Sequence, residues 1–273
     1  MTNSKKNEGD EDVLGHMLWD YFHHRDTFAI TERNDGFIDP EDPRIWFSKY
    51  EDWLDVEKKA MNYVRGRKVL DIGCGAGRHA LHLHNRKEGF DVLGIDKSPL
   101  AIKICRLRGL RKAEVLSITK LTFKNRGRRK KEKDSYSFDT ILMLGNNFGL
   151  FESFRRARWL LRNFRKMTRG DASIIAQTID PYKKSHDQAH LRYHKLNRMK
   201  GRMPGQTRMR IRYKNYKSRW FDYLFVSKQE MENIVNGTGW KIERFLDSTS
   251  FPGIYIAVIS LMDKGQNKTS HPY

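Results

Sequence analysis

The stretch VLDIGCGAGR at residues 69–78 decides the fold of this chain. An apolar strand pattern ends there in a run of glycines, a helix-compatible segment follows, and a second apolar run closes at Asp96. This strand–turn–helix–strand layout, with an acidic residue after the second strand, is typical of a nucleoside-binding unit in a doubly wound α/β fold. Glycines in such a turn let the backbone approach a ligand where a Cβ atom would collide.

The spacing of the glycines separates two classes of nucleotide cofactor. A dinucleotide fingerprint counted from Gly73 needs its third glycine at position 78, where this chain has an arginine. The chain instead reads D-x-G-x-G-x-G, in which Asp71 precedes Gly73, Gly75 and Gly77. The turn therefore does not predict a dinucleotide site.

This motif, together with the segment from about residue 69 to 110, resembles the first motif of the class I S-adenosylmethionine-dependent methyltransferases. The resemblance implies a Rossmann-like sheet of seven strands whose last strand is antiparallel. It also implies that Gly73, Gly75 and Gly77 lie against the methionine part of the donor. Asp71 would organise this turn and the donor's amino group, and Asp96 would accept hydrogen bonds from both ribose hydroxyls.

The adenine side of the predicted cofactor site departs from the family. Related enzymes often have an acidic residue after the third strand, and this chain has Ser117 there. We expect the Ser117 hydroxyl or the backbone near Ile118 to take over the adenine contact. Leu144, at the end of the fourth strand, completes the predicted cofactor-binding set.

The segments around the motif predict a single domain over residues 13–262, flanked by disordered tails at 1–12 and 263–273. Residues 13–64 carry an aromatic, helix-compatible pattern and are predicted to form an N-terminal helical lid. Residues 180–226 are predicted to be an inserted basic cap, with extended strands near residues 208–216. The predicted sheet strands are Lys68 to Ile72, Asp91 to Ile95, Glu114 to Ile118, Thr140 to Leu144, Ser173 to Thr178, Trp240 to Leu246 and Ile254 to Leu261.

The loop after the fourth strand reads LGNNFGL at residues 144–150. It resembles the loop of glycine and sarcosine N-methyltransferases and related small-molecule enzymes. It does not match the Asn-Pro-Pro-Tyr type of loop in enzymes that methylate base amino groups. Asn146 and Asn147 are therefore predicted to position the substrate, although they could also do no more than turn the chain.

The net charge of +20 is concentrated late in the chain. Residues 181–220 hold 13 basic side chains against the single acid Asp187, and a second basic run spans residues 124–134. Such a field attracts small anions and nucleic acids alike. We therefore consider a methyltransferase acting on an N or O nucleophile of a small, anionic substrate, and as the alternative an RNA- or ribosome-directed enzyme. A donor- or nucleic-acid-binding protein without activity is a third hypothesis.

Other compositional features narrow the cellular setting. Cys74 and Cys105 are the only cysteines, so neither a disulfide framework nor a cysteine zinc site is predicted. His186, His190 and His194 recur every four residues, but basic neighbours crowd them and methyl transfer requires no metal, so we predict none. No apolar run reaches the roughly 18–20 residues of a membrane span, and we expect a cytoplasmic protein without a membrane partner. The oligomeric state is not predictable from these features.

Overall fold

The computed structural model describes residues 12–121, 137–183 and 188–262. The strands of these ranges are β1 (Ala29–Arg33), β2 (Ile38–Glu41), β3 (Lys68–Ile72), β4 (Asp91–Asp96), β5 (Ala113–Val115), β6 (Phe138–Met143), β7 (Thr168–Ile179), β8 (Gln206–Tyr213), β9 (Tyr216–Lys217), β10 (Phe221–Leu224), β11 (Trp240–Asp247) and β12 (Ile254–Leu261). The helices are α1 (Val13–Phe22), α2 (Arg44–Phe47), α3 (Asp55–Ala60), α4 (Arg78–His84), α5 (Pro99–Leu107), α6 (Phe154–Arg165), α7 (Gln188–Met199) and α8 (Lys228–Val235).

The main sheet has seven strands in the order β11-β12-β7-β6-β3-β4-β5. Its central strands β3 to β7 pair in parallel, whereas β12 runs antiparallel between β7 and β11. The predicted seven-stranded α/β sheet with an antiparallel last strand is thus confirmed. One strand is shorter than expected: β5 ends at Val115, and Ile118 begins a short 3-10 turn.

Helices cover both faces of the main sheet, which explains why its strands are nearly continuous apolar runs. Apolar side chains of α6 and α8 pack on one face, and those of α3, α4 and α5 pack on the other. Local capping sets where two of the helices begin. The Ser98 side chain accepts a hydrogen bond from Ala101 N ahead of Pro99, and Ser227 forms a capping box with Glu230.

A second, antiparallel sheet has the strand order β10-β8-β1-β2, with β9 paired to β8. The prediction that residues 13–64 form a helical lid is therefore wrong in part, because this segment supplies β1 and β2. A turn at residues 34–37, with Gly36 at φ +93°, closes this hairpin. Pro40 lies in β2, an edge strand, where the loss of a backbone donor is tolerated.

The inserted segment 180–226 consists of α7, β8, β9 and β10. The extended strands predicted near residues 208–216 are confirmed by the β8–β9 hairpin. The insertion does not form a cap on its own, because β8 pairs along β1 of the N-terminal segment. The segment 13–64 and the insertion therefore build one shared layer.

Several predictions fall outside the described ranges, namely the tails at residues 1–11 and 263–273, the basic run 124–134 and His186. Asp12, which was assigned to the disordered tail, is instead ordered in a cap. Its side chain accepts hydrogen bonds from Gly15 N, Ser98 Oγ and Leu100 N. Asp12 thus ties the start of α1 to the start of α5.

Candidate active site

A cavity of about 500 Å³ lies between the carboxyl ends of the main-sheet strands and one face of the second sheet. The crevice beyond the carboxyl ends of parallel strands is where doubly wound folds bind ligands. From the main sheet the cavity is lined by Gly73, Asp96, Ser117, Ile118 and the loop at residues 145–150. The site therefore has a floor made by the glycine turn and a roof made by the second sheet.

Strand periodicity decides which side chains of the second sheet face this cavity. Alternate residues of a strand point to opposite faces. On β8, Thr207, Met209 and Ile211 line the cavity. The interleaved residues do not line it, and we refer to them as the outer arginine row: Arg208, Arg210 and Arg212.

Each side chain of the outer arginine row forms an ion pair with a carboxylate of a neighbouring strand. Arg210 and Arg212 contact Glu32 at 2.9 and 3.3 Å, and Arg208 contacts Asp222 at 3.5 Å. The prediction of a basic cap turned towards the ligand is therefore not borne out along β8. The basic side chains of this strand face outward, and its inner face is largely apolar.

The three glycines of the turn have different surroundings. Gly73, at φ +71°, lines the cavity, and a Cβ atom there would lie 2.7 Å from Asn147 Nδ2. A Cβ atom at Gly75 would lie 2.5 Å from Trp46 Cδ1, and one at Gly77 would lie 3.0 Å from Cys105 Sγ. Gly73 thus fits the predicted contact with the donor, Gly75 lies under a side chain of the cavity wall, and Gly77 is needed for packing against α5.

Asp96 lines the cavity at the end of β4. Its Oδ2 accepts a hydrogen bond from Gly75 N at 3.0 Å, and its Oδ1 accepts one from Ser98 N at 2.9 Å. Burial raises the pKa of the Asp96 carboxyl, and these two bonds oppose that rise. Each carboxylate oxygen keeps a free lone pair, so this geometry fits an acceptor of two ribose hydroxyls.

Asp71 lies beneath the turn and is not part of the cavity wall. Its Oδ2 is buried without a hydrogen-bond partner. Burial, together with the neighbouring charge of Asp96, raises the pKa of Asp71 to about 7. Asp71 therefore lies below the turn, and its contact with the donor's amino group stays a prediction.

The remaining predicted cofactor residues divide in the same way. Ser117 and Ile118 line the cavity, and the Ser117 hydroxyl also accepts a bond from Thr119 N. Leu144 does not line it, because this side chain is buried in the apolar layer under the sheet. The Leu144 side chain thus belongs to the core, and its contact with the cofactor stays a prediction.

The two asparagines after β6 have distinct roles. Asn147 Nδ2 donates hydrogen bonds to the carbonyl oxygens of Ile72 and Gly73, both at 2.9 Å. Both of its amide hydrogens are used in this way, so Asn147 clamps the glycine turn instead of presenting a donor to a substrate. Asn146, at φ +65°, lines the cavity, and its Oδ1 is buried without a hydrogen-bond partner.

Residues that the sequence did not single out complete the roof of the cavity. They are Thr31 and Glu41 from β1 and β2, Tyr223 from β10, and Trp46 from α2. Residues 29–33 read AITER and do not alternate between polar and apolar, so no local pattern predicted a strand there. Only the pairing with β8 shows which of these residues face inward.

The histidines do not form a metal site within the ranges that are described. His194 is buried on the cavity wall, and its ring edge contacts Tyr182. Burial, reinforced by Arg198, lowers the pKa of His194 to about 4, so the ring is neutral at pH 7. No group of three or more His, Cys, Asp or Glu residues there is arranged to hold a metal ion.

Comparisons with known proteins agree with this geometry. The family described as "Methyltransferase domain" matches residues 69–171. A protein from Geobacillus sp. strain WCH70, named as a methyltransferase, is 29% identical over 150 residues, which are 52% of this chain and 58% of that relative. A ubiquinone biosynthesis O-methyltransferase from Alkalilimnicola ehrlichii is 30% identical over 91 residues, which are 33% of this chain and 34% of that relative. The chain therefore spans little more than half of the first relative and about a third of the second.

Among solved structures, an S-adenosylmethionine-dependent methyltransferase from Bacteroides fragilis, in complex with S-adenosyl-L-homocysteine, has the same fold. Its alignment with this chain has a TM-score of 0.71 and a sequence identity of 23%. The alignment covers 92% of this chain and 95% of the Bacteroides fragilis chain. Residues 69–171 thus match a methyltransferase domain, and the fold agrees with that of a solved S-adenosylmethionine-dependent methyltransferase. None of the helices in the described ranges combines the length and apolar character needed to cross a bilayer.

Proposed function

We propose that the protein transfers a methyl group from S-adenosylmethionine to a nitrogen or oxygen nucleophile of a small molecule. The observation that carries this proposal is the cavity of about 500 Å³ between the glycine turn and the second sheet. Its volume is in the range of sites for small ligands. Its roof is formed by side chains of β1, β2, β8 and β10, so an acceptor would lie between two layers of the protein.

We assign the donor to the floor of the cavity. Asp96 would accept the ribose hydroxyls, Gly73 would allow close approach of the methionine part, and Ser117 with Ile118 would contact the adenine. When bound, the donor supplies a methyl group already activated on a positively charged sulfur. The protein then has to align the acceptor and exclude water, which are the tasks of an enclosed site.

The outer arginine row changes the expected acceptor. The charge of residues 181–220 led us to expect a small anion, but the arginines of β8 lie on the far side of the sheet. Their ion pairs with Glu32 and Asp222 also leave them less available to an RNA backbone. We therefore carry forward a small-molecule acceptor without an anionic requirement, and we do not favour the RNA-directed alternative.

Methyl-labelled donor provides the test. The purified protein is incubated with labelled S-adenosylmethionine and cell extract separated into a small-molecule fraction and a nuclease-sensitive RNA fraction. We expect label to enter the small-molecule fraction and to be insensitive to nuclease. Label that enters only RNA would reverse the assignment of the acceptor, and failure to bind the donor in calorimetry would reject the function itself.

A further inference from the structure

Glu41 is one of three cavity-lining carboxylates, with the exposed Asp39 and the backbone-bonded Asp96, that form no ion pair within the described residues. It is half-buried on the inner face of β2, and Thr31 Oγ1 donates a hydrogen bond to its Oε1 at 2.6 Å. Within the described part of the chain, no lysine, arginine or histidine forms an ion pair with it. By contrast, Glu152 pairs with Arg156 at 2.7 Å and Asp222 with Arg202 at 3.0 Å.

An unpaired carboxylate in such a place is costly to the free protein. Removing a charge from water without a compensating partner is unfavourable. Burial raises the pKa of Glu41, the hydrogen bond from Thr31 opposes that rise, and the neighbouring Asp39 charge adds to it. A bound ligand that carries a positive charge would supply the missing partner.

Glu41 and Tyr223 both line the cavity. Burial, and after it the Glu41 charge, raises the pKa of Tyr223, whose hydroxyl donates a hydrogen bond to the carbonyl oxygen of Asn146 at 2.8 Å. Asn146 precedes Asn147, the clamp of the glycine turn. Glu41 and this loop therefore line the same cavity, in which donor and acceptor would meet.

The rest of the wall favours a ligand with an apolar body and a polar end that donates hydrogen bonds. Apolar side chains dominate the inner face of the roof: Met209, Ile211, Phe221 and Phe225. Asn146 Oδ1 and His194 Nδ1 are buried on the wall without hydrogen-bond partners. An amide oxygen can only accept a hydrogen bond, and a neutral imidazole nitrogen can accept one.

We propose that the acceptor is a primary or secondary amine with an apolar body, and that Glu41 binds its ammonium group and takes up its proton. This inference rests on the proposed function and names its substrate class. Proton transfer from the ammonium to the Glu41 carboxylate yields a neutral amine and a carboxylic acid. The nitrogen lone pair then forms the N–C bond while the C–S bond breaks, and the electron pair of that bond stays on sulfur. The products are the N-methylated ammonium and S-adenosylhomocysteine.

Binding of three matched probes tests the proposal without requiring turnover. The protein saturated with S-adenosylhomocysteine is titrated at pH 7.5, by calorimetry, with benzylammonium, benzyl alcohol and benzoate. We expect benzylammonium to bind at least tenfold more tightly than benzyl alcohol, and benzoate to bind most weakly. Glu41→Gln, which keeps the shape and removes the charge, should abolish the preference for the ammonium.

Asp42→Asn is the matched control, because Asp42 follows Glu41 in the chain, pairs with Arg44 and does not line the cavity, so the preference should stay within threefold of the native value. The native protein alone tests the amine assignment, because equal affinity for benzylammonium and benzyl alcohol would overturn it. A Glu41→Gln protein that retains the preference overturns the role of Glu41. If the native protein does not bind S-adenosylhomocysteine, the proposed function itself is rejected.

Discussion

The Tyr223 hydroxyl donates a hydrogen bond of 2.8 Å to the backbone carbonyl of Asn146, which joins the edge of the second sheet to the loop after β6. The Tyr223 ring also covers Gly149, where an added Cβ atom would lie only 1.9 Å from it. Roof and floor of the cavity are thus linked directly at the predicted acceptor loop. A substitution in either element should therefore alter the conformation of the other.

Tyr223→Phe should lower the rate of methyl transfer while donor affinity stays within twofold. Loss of one buried hydrogen bond should also lower the free energy of unfolding by about 0.5–1.5 kcal/mol. Tyr255→Phe is the control, because the Tyr255 hydroxyl makes a comparable buried bond to Val226 O away from the loop. Denaturant unfolding should show similar losses for both variants, and equal transfer rates would contradict the linkage.

Asp96→Ala should weaken S-adenosylmethionine binding by at least tenfold. A charged acceptor for two hydroxyls is lost, and hydrogen bonds to charged groups contribute about 1.5–3 kcal/mol each. Asp91→Ala removes an exposed carboxylate at the start of the same strand, paired with Lys112, and should bind the donor normally. Calorimetry giving unchanged affinity in a folded Asp96→Ala protein would reject the placement of the ribose.

Substitutions of Asn146 and Asn147 should have different effects on stability, donor binding and methyl transfer. Asn147→Ala leaves the carbonyls of Ile72 and Gly73 without their donor, so we expect a stability loss of about 1–3 kcal/mol and weaker donor binding. Asn146→Gly keeps the positive φ angle accessible and removes no side-chain bond within the described structure. It should keep donor affinity and reduce transfer. Denaturant unfolding and donor titration of both variants test this prediction. Equal losses of stability and of donor affinity in the two variants would refute the assignment of different roles to the two asparagines.

Neutralising the outer arginine row should have little effect on catalysis. The triple change Arg208→Gln, Arg210→Gln and Arg212→Gln acts on the far face of β8, and exposed ion pairs contribute about 0–1 kcal/mol each. We expect kcat/KM for the small-molecule fraction to remain within twofold. Met209→Ala, on the inner face of the same strand, should lower it several-fold. A raised KM in the triple variant alone would show that these arginines contact the acceptor.

Ionisation of Asp71 should contribute to the pH dependence of the protein's stability. Because its pKa rises from 3.8 to about 7 on folding, the native state holds this proton more tightly than the unfolded state. Asp71 therefore makes the fold less stable as the pH rises from about 4 to 7. Asp71→Asn should gain stability relative to the native chain over this window, on the order of a few kcal/mol. Contributions of buried histidines cancel in this comparison, and a difference that is constant with pH would contradict it.

Much of the main sheet and its floor was predictable because the signals are local. Asp71, the glycines and Asp96 lie within about 25 residues, and the Ser98 cap depends on its neighbours alone. Spacing along the chain is enough to indicate a strand, a tight turn and a helix in that order. The individual contacts were less predictable: Gly77 and Leu144 carry the motif but face the core, and Asn147 turned out to hold the turn.

The amino-acid sequence by itself determined the methyltransferase fold, the glycine turn and the position of Asp96, because each follows from periodicity and spacing over a short segment. Only the tertiary structure decided the roof of the cavity. Strand β1 pairs with β8 across nearly 180 residues of chain, and that register turns Thr31 and Met209 inward and the outer arginine row outward. A one-residue slip would exchange the two faces, so the side that meets the ligand depends on a partner strand that no local pattern specifies.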